Sequence, residues 1–102
     1  MTNLVSSVGV VASDITGVGT ARKQLAACEY GGDKGIFGFG YTSGKVGTTN
    51  LVSNSGVVAS DVSAVGTARW YLAACEFGDD KGIFAYGYTG SNVSLNQAIN
   101  AT

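Results

Sequence analysis

The sequence of 102 residues contains no histidine and no proline, and only 13% of its residues are charged. Without histidine, one chain cannot form the Ser–His or Cys–His pairs of nucleophilic catalysis, or a zinc site built from histidine. Six basic and seven acidic residues give a net charge of -1 without a basic cluster, a balance that argues against nucleic-acid binding. No apolar run approaches the roughly 18 residues of a membrane-spanning helix.

The hydrophobic fraction is 45% and glycine occurs 16 times. This composition predicts one small domain with a buried core, since a disordered chain would carry more charge and fewer apolar residues. Many glycines without proline indicate tight turns and close backbone approaches. The first residues show no basic region, so no secretory signal is expected.

The chain is an internal duplication with a period of 47 residues. Residues 3–49 (repeat 1) and 50–96 (repeat 2) are identical at 30 of 47 positions without a gap. Residues 97–102 continue the pattern in polar and apolar character only, as a partial third repeat or latch strand. Such a period occurs in both β-propeller blades and helical solenoids, so strand content has to decide between them.

Residues 35–42 form the clearest predicted strand, because bulky and small side chains alternate along it. One face would carry Phe37, Phe39 and Tyr41, and the other Ile36, Gly38 and Gly40. Repeat 2 keeps the pattern with Phe84, Tyr86 and Tyr88 against Ile83, Ala85 and Gly87. The sequence therefore predicts strands with one aromatic face and one mostly small face.

Two shorter strands are predicted over residues 49–53 and 56–60, which are rich in β-branched residues and separated by a turn signal. Residues 20–31 remain ambiguous. Thr20 could cap a helix that Gly31 ends. Alternatively, a tightly packed strand would be followed by a hairpin loop over residues 30–35, repeated over residues 77–82.

The residues Arg22, Leu25-Ala26-Ala27, Tyr30-Gly31 and the segment 34–40 together resemble the blade pattern of kelch-like β-propellers. The tandem unit is also similar to repeat proteins of unknown role in marine bacteriophages. The kelch resemblance implies four strands per repeat, with residues 20–30 as the innermost strand. The pattern departs from kelch in that Gly40-Tyr41 and Gly87-Tyr88 stand where a double glycine is usual, and the blade tryptophan is lacking.

The expected fold is therefore all-β, with two four-stranded propeller blades per chain. Propellers usually contain about 4–8 blades, and two blades alone would leave aromatic faces in water. We expect several chains to close a ring through head-to-tail contacts, in which aromatic side chains of one blade meet the small face of the next. A six-bladed homotrimer is favoured, and four or eight blades are the alternatives.

Six residues are candidates for a ligand site between blades: Arg22, Glu29, Arg69, Trp70, Tyr71 and Glu76. For the repeated charged residues, hydrogen bonding within and between blades is the favoured interpretation, because a repeated residue more often serves the repeated structure. Trp70 and Tyr71 replace Lys23 and Gln24 of repeat 1, and they could stack on a sugar or fill a groove. Asp79-Asp80 supplies too few oxygens for calcium, and no metal or other cofactor is expected.

Cys28 and Cys75 occupy one repeat position and are expected to be buried free thiols, which favours a cytoplasmic or virion location. We expect a non-catalytic module that assembles with itself and has a structural or recognition role. The alternative is a multivalent lectin that binds glycans between blades. A channel enzyme using carboxylates, or an engineered fragment without function, would also be compatible with the sequence.

Overall fold

Six strands form two three-stranded antiparallel sheets in the computed structural model, which describes residues 1–99. The first sheet contains β1 (Ala26–Tyr30), β2 (Lys34–Tyr41) and β3 (Lys45–Val52). The second contains β4 (Ala73–Phe77), β5 (Lys81–Ala85) and β6 (Asn96–Ile99). No helix occurs within residues 1–99, so the all-β prediction is confirmed and no helix there could cross a membrane.

The two sheets have the same register, displaced by 47 residues. Gly35 pairs with Val52 in the first sheet, and Gly82 pairs with Ile99 in the second. β6 therefore lies against β5 in the position that β3 occupies against β2. Residues 100–102, which belong to the predicted partial third repeat, lie outside the described residues.

The ambiguous segment 20–31 ends in a strand, β1, and not in a helix. The predicted hairpin loop follows it, with Tyr30 opposite Lys34. Gly31 and Gly32 make this reversal with φ values of 65° and 80°, in the region that favours glycine. In repeat 2 the loop closes between Phe77 and Lys81 in the same way.

The predicted alternation along β2 is wrong beyond Gly38, because a β-bulge interrupts the strand. The pairing register with β3 shifts between Gly38 and Gly40, and Phe39 has a φ of 63°. The extra residue turns the Phe39 side chain away from the face that carries Phe37. Phe39 is 2% exposed, whereas Phe37 is 36% exposed.

The prediction of a regular strand over residues 56–60 is also wrong, and each sheet has three strands where four were expected. Val58 and Val62 make only isolated bridges to Val52 and Thr49. The two bridges differ in register by one residue, so no continuous ladder forms between them. The Asn50 side chain bonds this irregular outer segment, donating to the Ala59 carbonyl at 3.2 Å.

Residues 2–15 form a separate hairpin, which we call the N-terminal hairpin. Its bridges join Thr2 to Ile15 and Val5 to Val11, the pairs that lie 47 residues before the outer bridges of the first sheet. The hairpin packs against the outer segment that follows β3, where a Cβ on Gly56 would lie 2.6 Å from Leu4 Cδ2.

The buried core lies between the two sheets and consists of Tyr30, Ile36, Phe39 and Phe84. Three of these side chains belong to the first sheet, and Phe84 reaches them from β5 of the second. Since the sheets share this core, the contact between the repeats is the principal tertiary contact of the chain.

Candidate functional site

The contact between the repeats is built around Phe84, which is 1% exposed. Its ring lies on the backbone of Gly38, where a Cβ would come within 2.7 Å of Phe84 Cζ. The Phe39 ring lies beside it, with ring centroids 5.1 Å apart and planes inclined at 59°. An aromatic side chain of one repeat thus fills the space left by a glycine of the other.

Arg69 adds a polar part to the same contact. Its guanidinium lies 4.4 Å from the centroid of the Phe39 ring, in a cation–π arrangement. Arg69 Nε donates to the Tyr86 carbonyl at 2.7 Å and Nη1 donates to Gln97 Oε1 at 2.6 Å. Burial lowers the pKa of this guanidinium, and the residue has no exposed surface.

Further contacts bring the same elements together. The Gly40 amide donates to the Arg69 carbonyl at 2.9 Å, and Gln24 Nε2 donates to the Tyr71 hydroxyl at 2.8 Å. A Cβ on Gly82 would lie 2.8 Å from Cys28 Sγ. Each of these residues has a counterpart 47 residues away in the other repeat. The contact therefore shows how one repeat packs on the next.

The counterparts of these residues lie at opposite ends of the repeat pair. At one end, Phe37 is the counterpart of Phe84 and Arg22 is the counterpart of Arg69. Phe37 is 36% exposed, and both residues line one open groove. We call this surface, defined by Arg22 and Phe37, the Phe37 end.

At the other end, Ala85 is the counterpart of Gly38 and Tyr86 is the counterpart of Phe39. Tyr86 is 62% exposed, and its φ of 65° matches that of Phe39 at 63°. We call the surface defined by Ala85 and Tyr86 the Tyr86 end. The Phe37 end thus carries the residue types that insert, and the Tyr86 end carries those that receive.

Arg22 makes the counterparts of two bonds of Arg69, those to the Tyr86 carbonyl and to the Thr67 carbonyl at 3.0 Å. Within residues 1–99 it has no side-chain acceptor like Gln97 and no aromatic ring over its guanidinium. Nε donates to the Phe39 carbonyl at 2.7 Å and Nη1 to the Thr20 carbonyl at 3.1 Å. Burial lowers the pKa of Arg22, and nearby Asp61 partly opposes this change. Nη2 has no hydrogen-bond partner within the described part of the chain.

A cluster of aromatic rings surrounds Trp70, which is half-buried. Its ring lies 4.8 Å from Tyr41 of repeat 1 and 4.7 Å from Tyr71 by ring centroids. Tyr88 meets it edge-on at 5.6 Å. Trp70 therefore fills a groove between the repeats, whereas Tyr71 is 63% exposed.

Glu29 and Glu76 line another open groove, together with Cys28, Cys75 and Phe37. Both cysteines are free thiols. Cys28 is half-buried, and burial raises the pKa of its thiol. Cys75 is exposed in the single chain, so the prediction that both thiols are buried is wrong for Cys75, whose side faces no further repeat.

Hydrogen bonds to Asp61 join the chain at Thr20, before β1, to the irregular outer segment that follows β3. Thr20 donates to this carboxylate through its amide at 3.1 Å and its hydroxyl at 2.7 Å. Asn50 Nδ2 donates to Asp61 Oδ1 at 2.9 Å. These hydrogen bonds hold the pKa of Asp61 below its usual value.

The six predicted site residues are not brought to one place. Arg22 lies at the Phe37 end, Arg69 is buried between the repeats, and Glu29 and Glu76 share a groove whose lining does not include Trp70 or Tyr71. Within residues 1–99, no three His, Cys, Asp or Glu side chains are grouped so that they could hold a metal ion.

The sequence placed Phe37 on an aromatic face and Ala85 on a small face that were expected to meet between blades, but it placed Tyr86 beside Phe84 on the aromatic face and not with the receiving residues. Phe37 and Phe84 occur in identical local sequences, Lys-Gly-Ile-Phe, so no sequence signal could separate the exposed ring from the buried one. No protein-family model matches the chain, and no curated protein sequence matches it.

Proposed function

We propose that the chain is a non-catalytic, kelch-like β-propeller module that assembles head to tail with further copies into a closed ring, with a structural or recognition role. The observation that carries the proposal is the placement of Phe84 and Arg69 in the contact between repeats. Their counterparts, the partly exposed Phe37 and the half-buried Arg22, line an open groove at one end, and the residues that would receive them, the half-buried Ala85 and the exposed Tyr86, lie at the other.

In the proposed joint, the Phe37 end of one copy docks on the Tyr86 end of another. Phe37 then lies over Ala85, and Arg22 lies over the Tyr86 ring, as Phe84 and Arg69 lie over Gly38 and Phe39 within the chain. Full burial of a large apolar side chain contributes about 1.5–3 kcal/mol, and a cation–π contact adds about 0.5–2 kcal/mol. Such a contact is heterologous and closes when the rotation per repeat completes a circle.

One substitution makes the joint between chains less close than the contact within the chain. Position 85 carries alanine, whereas a Cβ at the equivalent Gly38 would come 2.7 Å from Phe84 Cζ. The Phe37 ring of a second copy must therefore shift from the position that Phe84 adopts. We expect a weaker joint between chains, so assembly depends on concentration.

Native mass measurement and light scattering across a range of concentrations test this function. We expect a discrete species at three times the 10.3 kDa mass of the chain, which corresponds to six blades. A species that remains at the mass of one chain up to high micromolar concentration would contradict the proposal.

Two variants at the Tyr86 end sharpen the test. Tyr86→Asn removes the exposed ring while asparagine tolerates the left-handed backbone, so it should weaken assembly by about tenfold, for a loss of about 1.4 kcal/mol. Ala85→Gly should strengthen assembly, since it restores the small residue found at Gly38. Gly44→Ala, in the turn between β2 and β3 where a Cβ would meet nothing within 4 Å, is the control and should leave assembly unchanged.

Tyr71 supports a second candidate, the multivalent lectin. Its ring is 63% exposed and stacks on Trp70 with planes inclined at 25°, which offers a flat apolar surface with a hydroxyl at its edge. A saccharide screen by thermal shift tests this function, and Tyr71→Ala should abolish any shift found. A flat response across saccharide classes would remove the lectin and leave the assembly proposal standing.

A further inference from the structure

The edge of β5 that β6 occupies has a second candidate strand in the N-terminal hairpin. Residues 2–5 read Thr-Asn-Leu-Val, identical to residues 49–52, which pair with β2 at the equivalent edge. β6 reads Asn-Gln-Ala-Ile, and it matches neither segment at any position. Of the three segments, β6 is therefore the one whose sequence departs from the repeat.

The N-terminal hairpin already has the conformation that this edge requires. Asn3 Nδ2 donates to Asp14 Oδ1 at 2.7 Å and to the Ala12 carbonyl at 3.1 Å. Asn50 makes the same two bonds, to Asp61 and Ala59, at 2.9 and 3.2 Å. The hairpin is thus a preformed outer half of a blade.

The inner edge of that hairpin has no strand beside it. The Ala12 amide donates to the Leu4 carbonyl and the Ser6 amide donates to the Val10 carbonyl, so these groups point across the hairpin. By alternation, the amide of Val5 points outward from the hairpin, and it makes no hydrogen bond within the described part of the chain. The edge offers donors and acceptors that another strand can pair with.

Within residues 1–99, the two sheets differ in the outer segment that bridges them. In the first sheet, β3 is bridged by Val58 and Val62. No equivalent segment bridges β6 within residues 1–99. An incoming N-terminal hairpin would therefore provide two elements at once, an inner strand against β5 and the outer segment already bonded to it.

We propose that residues 2–5 of a second copy of this chain displace β6 and pair with β5, so that assembly exchanges one edge strand for another. The inference rests on the proposed function and identifies its latch. The register follows from β3 on β2: Val5 pairs with Gly82, Leu4 with Ile83, and Thr2 with Ala85. The same docking places the Phe37 end of the second copy on the Tyr86 end of the first, because both surfaces continue the contact between repeats.

A matched pair of proline variants distinguishes the two strands, since Val5 and Ile99 are candidates for the same pairing with Gly82. Val5→Pro removes no hydrogen bond that the single chain makes, but it removes a donor from the exchanged ladder. We expect Val5→Pro to weaken assembly about tenfold or more. Ile99→Pro weakens β6 and should leave assembly intact or strengthen it. The reverse pattern, in which only Ile99→Pro prevents assembly, would overturn the strand exchange.

Disulfide trapping gives a second measurement that does not depend on proline. Leu51 and Ile36 are opposite each other, and the Leu51 carbonyl bonds Ala59 on the outer side. They therefore form a non-hydrogen-bonded pair, in which Cα atoms lie about 4.5 Å apart. This separation falls at the short end of the range that disulfides span. The equivalent pairs are Leu4 with Ile83 between chains and Ala98 with Ile83 within one chain.

With both native cysteines replaced by alanine, Leu4→Cys/Ile83→Cys should cross-link chains into covalent multimers. Ala98→Cys/Ile83→Cys should cross-link within single chains and block assembly. Cross-linking of the 83–98 pair inside fully assembled rings would refute the exchange, although the ring itself would stand. A wild-type chain that never assembles removes the proposed function instead, so the two failures are distinguishable.

Discussion

Phe84 and Phe37 allow the same substitution to be made twice in one local sequence. Both follow Lys-Gly-Ile in a strand that is preceded by a hairpin. Phe84 is 1% exposed and packs on the first sheet, whereas Phe37 is 36% exposed and is covered by no other repeat within residues 1–99. If the two variants Phe84→Ala and Phe37→Ala lose different amounts of unfolding free energy, the difference therefore reports the contact between repeats and not the local propensity of the strand.

From the structure, we expect the two variants to be destabilised by different amounts. Phe84→Ala leaves a cavity between Gly38 and Phe39, and such a change in a core destabilises by about 3–5 kcal/mol. For a domain of this size, the melting temperature should fall by at least about 12 °C. Phe37→Ala removes a ring that is only partly covered, so we expect a loss of about 1–2 kcal/mol.

Denaturant unfolding at concentrations where the wild-type chain is a monomer measures both values without the contribution of assembly. Because Phe84→Ala could unfold a domain with a stability of about 5–15 kcal/mol, Phe84→Leu is included as a milder change, expected to destabilise by about 1–2 kcal/mol. Equal destabilisation by Phe84→Ala and Phe37→Ala would refute the packing described here. Above the assembly concentration, Phe37→Ala should gain a second effect, a loss of oligomer.

Three further outcomes are expected. Gly38→Ala should destabilise by about 1–3 kcal/mol through its clash with the buried ring, whereas Gly44→Ala, where a Cβ meets nothing within 4 Å, should be neutral or slightly stabilising in the same thermal melts. Because hydrogen bonds hold the folded-state pKa of Asp61 below its unfolded value, its stabilising contribution is present above about pH 4 and is lost as the pH falls through the folded pKa. Asp61→Asn should therefore flatten the acid limb of stability measured from pH 6 to 2. In thiol-labelling kinetics, the exposed Cys75 should react faster than Cys28, whose pKa is raised by burial. Assembly should slow the labelling of Cys75 alone. Equal labelling rates for both thiols in the single chain would contradict the difference in their burial.

The strands and hairpins follow from local sequence, which is why they could be predicted. Gly31 and Gly32 supply the positive φ values of the loop after β1, and the aromatic run of β2 suits a strand that is buried on one face. The helix alternative for residues 20–31 failed because its apolar side chains pack against the second sheet, and tertiary packing overrides helix propensity. Ala26 and Cys28 both contact the core cluster.

The bulge at Phe39 and the irregular outer segment could not be predicted in the same way. A non-glycine residue with positive φ is uncommon, and no residue type at position 39 signals it. The conformation is stabilised by contacts from elsewhere in the chain, since Arg22 donates to the Phe39 carbonyl and the Gly40 amide donates to Arg69. The outer segment depends similarly on the side chain of Asn50, which binds Ala59 and Asp61.

Two of the positions at which the repeats differ lie in the contact between them. Gly38 and Phe39, which receive Phe84 and Arg69, are replaced by Ala85 and Tyr86 at the end that receives no partner within the chain. The added methyl group of Ala85 and the hydroxyl group of Tyr86 make that end less suited to close packing but better suited to contact with water. The proposed joint between chains would therefore be looser and more polar than the contact within the chain, so a ring of this kind would come apart between chains before it came apart within them.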